Sequence, residues 1–262
     1  MVRLIRSSFK TYFIDPFLGA GEVLYLIFRV IINLPHLWYK IQPTLTQMYI
    51  AGYKSLFVVS IVAIFTGMIL SLQSGLALKD FGQEDLIGQL MVVTLTREMA
   101  PFMTALILSA SVGSSMAAEI GTMKVSEEID ALEVMSIDPV KFLVLPRMVG
   151  FTIMIPVLSN YASLLGTIGG SIIAKTQLGV EYETFYNLAL EILKSKTGLK
   201  DIWVGNFKAF IFGITISAIS CHQGLNASGG AIGVGRAVRQ SVVLSYLFII
   251  MFGYFISAIF YR

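Results

Sequence analysis

The chain has 262 residues, 56% of them hydrophobic and only 13% charged, with a formal net charge of +3 and a mean hydropathy of +0.78. Soluble domains carry about 25% charged residues, so the composition excludes a soluble enzyme and leaves no extended basic surface for nucleic acid. The apolar residues form continuous runs rather than alternating over about ten residues, which excludes a β-barrel and predicts an all-α membrane protein.

In chain order, Arg3, Arg6 and Lys10 precede the first apolar stretch, and no compact apolar segment with a small-residue cleavage site follows them, so the segment is read as part of the mature chain. Pro16–Leu34 (PFLGAGEVLYLIFRVIINL) is helix-competent, with Glu22, Arg29 and Asn33 spaced seven and four apart in one polar stripe. A charge at the bilayer centre costs about 2.5 kcal/mol or more. The stripe therefore predicts an interfacial helix facing headgroups and water, within an N-terminal segment 1–54 that precedes a transmembrane domain 55–262. Membrane-length runs follow at Ser55–Leu78, Gly88–Ala118, Phe142–Ala174 and Val242–Tyr261, with a weaker fifth at Ile202–Cys221.

Basic residues concentrate before the first span, where Lys40 and Lys54 add to Arg3, Arg6, Lys10 and Arg29. Retention of Lys and Arg on the cytoplasmic side places the N-terminus inside. Five spans then leave Glu119–Lys141 and His222–Gln240 cytoplasmic, and Lys79–Ile87, Thr176–Asp201 and the C-terminus outside. The Thr176–Asp201 loop contains EYETFYNLALEILKS, which has the pattern of a short surface helix.

Cys221 has no cysteine partner, and His36 and His222 form no cluster with metal-ligand spacing. The glycine-rich Ser228–Arg236 (SGGAIGVGR) lacks the Lys-Ser/Thr ending of a phosphate loop and reads as a flexible turn into the last span. Small residues recur every four positions at Gly67, Ser71 and Gly75, at Gly113, Ala117 and Gly121, and at Gly166 and Gly170. This spacing lets helices approach closely in lipid, within one chain or between copies.

The segment Glu119–Pro139 (EIGTMKVSEEIDALEVMSIDP) departs from its surroundings, with six acidic residues and one basic, Lys124. Val125, Ile129 and Leu132 fall on one helical face, and Glu127, Asp130 and Glu133 project from the other. Ser126 has the chemistry of an N-cap, early acids suit the helix N-terminus, and Asp138-Pro139 ends the helix. So short a helix cannot bury its own apolar stripe, and an anionic inner leaflet repels it. It needs a protein partner.

The run Arg97–Arg147 (REMAPFMTALILSASVGSSMAAEIGTMKVSEEIDALEVMSIDPVKFLVLPR), together with Gly224–Ser245 (GLNASGGAIGVGRAVRQSVVLS), closely resembles the MlaE/YrbE family, permease subunits of ABC lipid transporters that work with MCE proteins. The similarity covers about Tyr53 to Tyr261. It implies a bacterial inner-membrane permease that moves phospholipid and acts as a homodimer. The implied partners are two cytoplasmic ATPase subunits that bind the ATP, a STAS-domain regulator in many systems, and a periplasmic MCE assembly. The acidic segment, about 122–138, would be the coupling helix, with Glu127, Glu128, Ile129, Asp130, Leu132 and Met135 meeting the ATPase. Two positions depart from the family pattern, Ser111 where Arg is common and Gly253 where Asp is common, so roles of those charges do not carry over.

Moving a phospholipid with roughly thirty methylenes through water would cost on the order of 25 kcal/mol at 0.8 kcal/mol per CH₂. An apolar route is required, and 12 Met and 18 Phe suit one. A secondary transporter or channel is the competing class, marked by intramembrane carboxylates and repeated halves; a lipid enzyme would need a nucleophile and base. The conspicuous ionisable pair inside an apolar run is Arg97-Glu98, about nine residues or roughly 14 Å into the second span at 1.5 Å per residue. Their side chains are expected about 100° apart and so in different environments. The expected lipid site has Arg97 and Glu98 bordering a headgroup position and Leu70, Leu78, Phe81 and Met99 lining its apolar part. No catalytic residue, metal or bound cofactor is expected in this chain.

Overall fold

The computed structural model describes residues 15–261, with side chains from residue 19 onward; Arg3, Arg6 and Lys10 lie outside the described residues. These residues form nine α-helical elements and no strand: α1 (Asp15–Asn33), α2 (Ile41–Gly52), α3 (Leu56–Lys79), α4 (Glu84–Val125), α5 (Glu128–Val134), α6 (Val140–Leu178), α7 (Tyr182–Lys194), α8 (Lys196–Leu225) and α9 (Gly230–Tyr261), with short 3-10 helices at Leu34–Lys40 and Tyr53–Ser55 joining α1, α2 and α3. Five helical runs are long and apolar enough to cross a membrane: Gly19–Lys79, which joins α1 to α3, and α4, α6, α8 and α9. At 42 and 39 residues, α4 and α6 exceed the roughly 20 needed to span, so their ends project beyond the apolar core.

Consecutive long helices alternate in direction, so α3 and α6 run parallel, and they do so in close contact. A Cβ on Gly67 would lie 1.9 Å from the Gly166 carbonyl oxygen, and one on Gly169 would lie 2.4 Å from that of Ile64. The small-residue spacing there serves packing within the chain. Gly113 and Gly121 do likewise against Ile216 and Val234. Replacing Gly67 by Ala is expected to destabilise the fold by about 3 kcal/mol, the upper range of overpacking, because backbone rather than a movable side chain blocks the methyl. Gly235→Ala, with nothing within 4 Å, should be neutral or stabilising; thermal melting in detergent compares the two.

One end of the bundle carries α1, α5 and the α8–α9 turn, where Ile120 and Gly121 meet Gly224 and Ala227. The other end carries the α3–α4 turn, α7, whose Phe185 backbone abuts Gly88, and the end of α9. This segregation matches the expected loop partition. The EYETFYNLALEILKS segment is α7 as expected, but α8 starts at Lys196, with Ser195 Oγ accepting from Gly198 N at 3.1 Å.

Two local expectations are corrected. The glycine-rich Ser228–Arg236 is largely helical: Gly229 and Gly230 turn the chain with φ of +87° and +70°, and α9 begins at Gly230. Packing overrides weak glycine propensity there, since Gly233 lies against the Ser228 backbone. The polar stripe of α1 turns toward the protein instead of outward. Glu22 meets His222 and Arg29 meets Asp138, while Leu24, Tyr25, Phe28, Ile31 and Ile32 are the exposed residues.

Candidate functional site

Two places combine charge, exposure and unusual backbone. The first is where α4 meets α8 and α9, away from the α5 end. Leu95–Met99 forms a π-helical turn inside α4, a distortion frequent at functional sites. Pro101 lies four residues beyond Arg97 and has no N–H to give its carbonyl. Lys208 Nζ, on a side chain only 1% exposed, donates to that carbonyl at 3.1 Å.

The same ammonium contacts Glu98 Oε1 at 2.6 Å and Ser257 Oγ at 2.6 Å, and Ser257 Oγ donates to Glu98 Oε1 at 2.8 Å. Arg97 makes a two-pronged pair with buried Asp201, Nε to Oδ1 at 2.9 Å and a terminal nitrogen to Oδ2 at 3.1 Å. Tyr261 OH also donates to Asp201 Oδ1, and the Arg97 guanidinium lies 4.0 Å from the Tyr261 ring centroid. Lys200 Nζ donates to the Phe260 carbonyl at 2.6 Å. The two side chains keep separate partners, Asp201 and Tyr261 for Arg97 and Lys208 and Ser257 for Glu98, and the two sets are linked where Lys208 reaches the Arg97 backbone carbonyl. Asp201, Lys208, Ser257 and Tyr261 were absent from the sequence expectation. The available signal was Asp201 and Lys208, seven apart on one face of an otherwise apolar helix.

The four apolar residues of the expected lipid site divide differently. Leu70, Leu78 and Met99 pack against a core of Ile87, Met91, Leu95, Ala174, Val180 and Phe185, whereas Phe81 is 78% exposed on the α3–α4 turn. Met99 also lines a shallow, open apolar groove between α3, α4 and α6, with Val59, Thr66, Met103, Thr104 and Ile107.

The second place is α5. α4 ends at Val125, and the chain breaks at Glu127, whose φ is +62°; Ser136 beyond α5 has φ +60°. Each such non-glycine residue costs on the order of 1 kcal/mol or more, so α5 is set off between two strained links. Residues 122–125 of the expected coupling segment belong to α4. Ser126 is not the cap, because Glu127 occupies that position and Ser126 Oγ donates back to the Thr122 carbonyl and to Glu128 Oε1, at 2.9 and 3.0 Å. Ile129 is 2% exposed and Leu132 packs beside the same core. Asp130 pairs with Lys124 at 2.6 Å. Glu127, Glu128 and Glu133 face solvent, next to Val134 at 86% and Met135 at 61% exposure. The result is a rigidly rooted projection with an apolar tip and an acidic flank.

The family model described as permease MlaE matches residues 44–259, which include α5 and all of the α4 site but Phe260 and Tyr261. The chain belongs to the MlaE permease family. It is 31% identical over 253 residues to the intermembrane phospholipid transport system permease protein MlaE of Haemophilus influenzae, covering 97% of this chain and 96% of that one. It is 36% identical over 214 residues to a probable ABC transporter permease of Synechocystis, covering 82% and 80%. A probable ABC transporter permease of Rickettsia prowazekii is 37% identical over 216 residues, covering 82% of each. As an MlaE-family ABC permease, the chain is a multi-pass membrane subunit of a transport system powered by ATPase partners.

Proposed function

We propose that this MlaE-family permease moves phospholipid between the bacterial inner membrane and a periplasmic MCE protein, driven by a separate ATPase that binds the ATP and docks on α5. The observation that carries the reading is the α5 projection, an exposed apolar tip and acidic flank rooted by Ile129 in the bundle core. The cargo assignment draws on the resemblance to the Haemophilus relative, a phospholipid transport permease by name.

The α5 end is assigned to the cytoplasm. Arg29, Lys40, Lys54, Lys124, Lys141, Arg147, Arg236 and Arg239 lie toward it, against Lys79, Lys175, Lys194, Lys196 and Lys200 toward the other. The N-terminus is then cytoplasmic and the C-terminus periplasmic. α1 rests at the cytoplasmic interface with Leu24, Phe28 and Ile31 toward acyl chains, and exposed Trp38 and Tyr39 at headgroup level. A second copy completes the transport chamber, since the groove at Met99 is too small to enclose a phospholipid. Arg97 and Glu98 border its headgroup end, and Leu70, Leu78, Phe81 and Met99 its apolar side. A STAS-domain regulator is a further partner by family resemblance.

The test is reconstitution of the permease with its ATPase and MCE partners in phosphatidylethanolamine and phosphatidylglycerol vesicles. Labelled phosphatidylethanolamine should transfer between vesicle and MCE protein only while ATP is hydrolysed. Transfer at the same rate with a non-hydrolysable analogue would overturn the proposal.

A further inference from the structure

α1 touches both turns at the α5 end of the bundle. Its Leu26 and Val30 are buried in the same core as Ile129 of α5, Ile120 of α4, Val140 and Val144 of α6, and Cys221 of α8. Two polar contacts flank this apolar strip. Arg29 donates to both carboxylate oxygens of Asp138, each at 2.9 Å, where the chain passes from α5 into α6. Glu22 Oε2 lies 2.8 Å from His222 Nε2 at the end of α8.

We propose that α1 is a strap joining the coupling segment to α8, and that Arg29 and Asp138 are the positioning residues that carry movement of α5 into it. The inference rests on the reading of α5 as the ATPase-coupling segment. The apolar contacts of Leu26 and Val30 are non-directional and permit sliding. The charge-assisted contact of one Arg29 terminal nitrogen with both Asp138 oxygens is short and fixes the distance between α1 and the start of α6. Asp138 is tied on its other side, since its Oδ1 accepts from Val140 N at 2.9 Å and so holds the first turn of α6. A displacement of α5 acting at Asp138 is therefore delivered to the start of α6 and, through Arg29 and α1, to the end of α8. Glu22 is the looser far anchor, with its side chain 63% exposed.

The test uses the full-length permease with its ATPase and MCE partners in the same vesicles, and reads labelled phosphatidylethanolamine transferred per ATP hydrolysed. Arg29→Gln removes the charge, and Asp138→Asn removes it while keeping an amide oxygen for Val140 N. Each should lower transfer per ATP about tenfold, the scale of one lost charge-assisted contact, with ATPase retention and melting temperature unchanged. The double variant should be no worse than either single, because all three lose the same contact. It leaves neither charge without its partner, so it also serves where a single variant fails to fold. Unchanged transfer per ATP in the double variant overturns the strap. So does a loss matched by weaker ATPase retention or lower melting, which would show a role in folding alone. If Val134→Asp releases the ATPase while the double variant behaves as wild type, only the strap fails. If Val134→Asp changes nothing, the coupling reading of α5 fails.

Discussion

Val134→Asp is expected to abolish retention of the ATPase and ATP-driven transfer while leaving the permease folded. Val134 is 86% exposed at the end of α5 and contributes nothing to the core that holds Ile129. Buried fully under a partner, a valine side chain contributes about 1.5–3 kcal/mol. An aspartate there loses that term and leaves an unpaired carboxylate in a desolvated contact, a further cost of several kcal/mol. The sum exceeds 3 kcal/mol, or roughly a hundredfold and more in affinity. Val134→Ala removes only part of the apolar area and should weaken retention about tenfold. Pull-down of the ATPase from detergent-solubilised membranes, with melting of the permease alone as control, reads both variants. Full retention by Val134→Asp would mean that the ATPase docks elsewhere and that the tip of α5 is merely solvated.

The sequence made the spans legible because about 20 consecutive apolar residues have few solutions other than a membrane helix. Each expected run lies within one observed helix or overlaps it closely. Short polar elements were less legible. The 12 residues of α2 carry no sustained apolar run, and the helix they form docks where Gly150 of α6 lets the Thr44 backbone approach. A helical wheel located the polar stripe of α1 but not its direction. The partners that turn it inward are distant in sequence, 109 residues for Asp138 and 200 for His222. Ser126 had the chemistry of a cap, but a left-handed Glu127 took the position.

Part of the α4 site was legible for the opposite reason. Arg97 and Glu98 stand out because charges in an apolar run are costly, whereas Lys208 was hidden as a single lysine in the weaker run Ile202–Cys221. The pairing of Arg97 with Asp201 spans 104 residues, which no local pattern encodes.

The Glu98–Lys208 pair separates a brace from a lipid contact. Lys208→Met should destabilise the permease by about 3 kcal/mol, the lower end for breaking a buried pair, because Glu98 is left without its cation and the Arg97 carbonyl without its donor. The lower end applies because the Glu98 side chain is 39% exposed and solvent screens part of the loss. Melting in detergent should fall by roughly 10 °C. Replacing both members, Glu98→Leu with Lys208→Met, removes the uncompensated charge and should restore most of that loss, as apolar replacement of buried pairs often does. Transport should not recover with it. Lys208 and Ser257 both engage Oε1 of Glu98, which leaves Oε2 for the ammonium or hydroxyl of a headgroup. Losing that contact is expected to cut transfer of labelled phosphatidylethanolamine about tenfold, the scale of one hydrogen bond to a charged group. If the double variant regains stability and transports at the wild-type rate, the network only braces α4 against α8 and α9. The lipid contact must then be sought along the groove at Met99 and Met103.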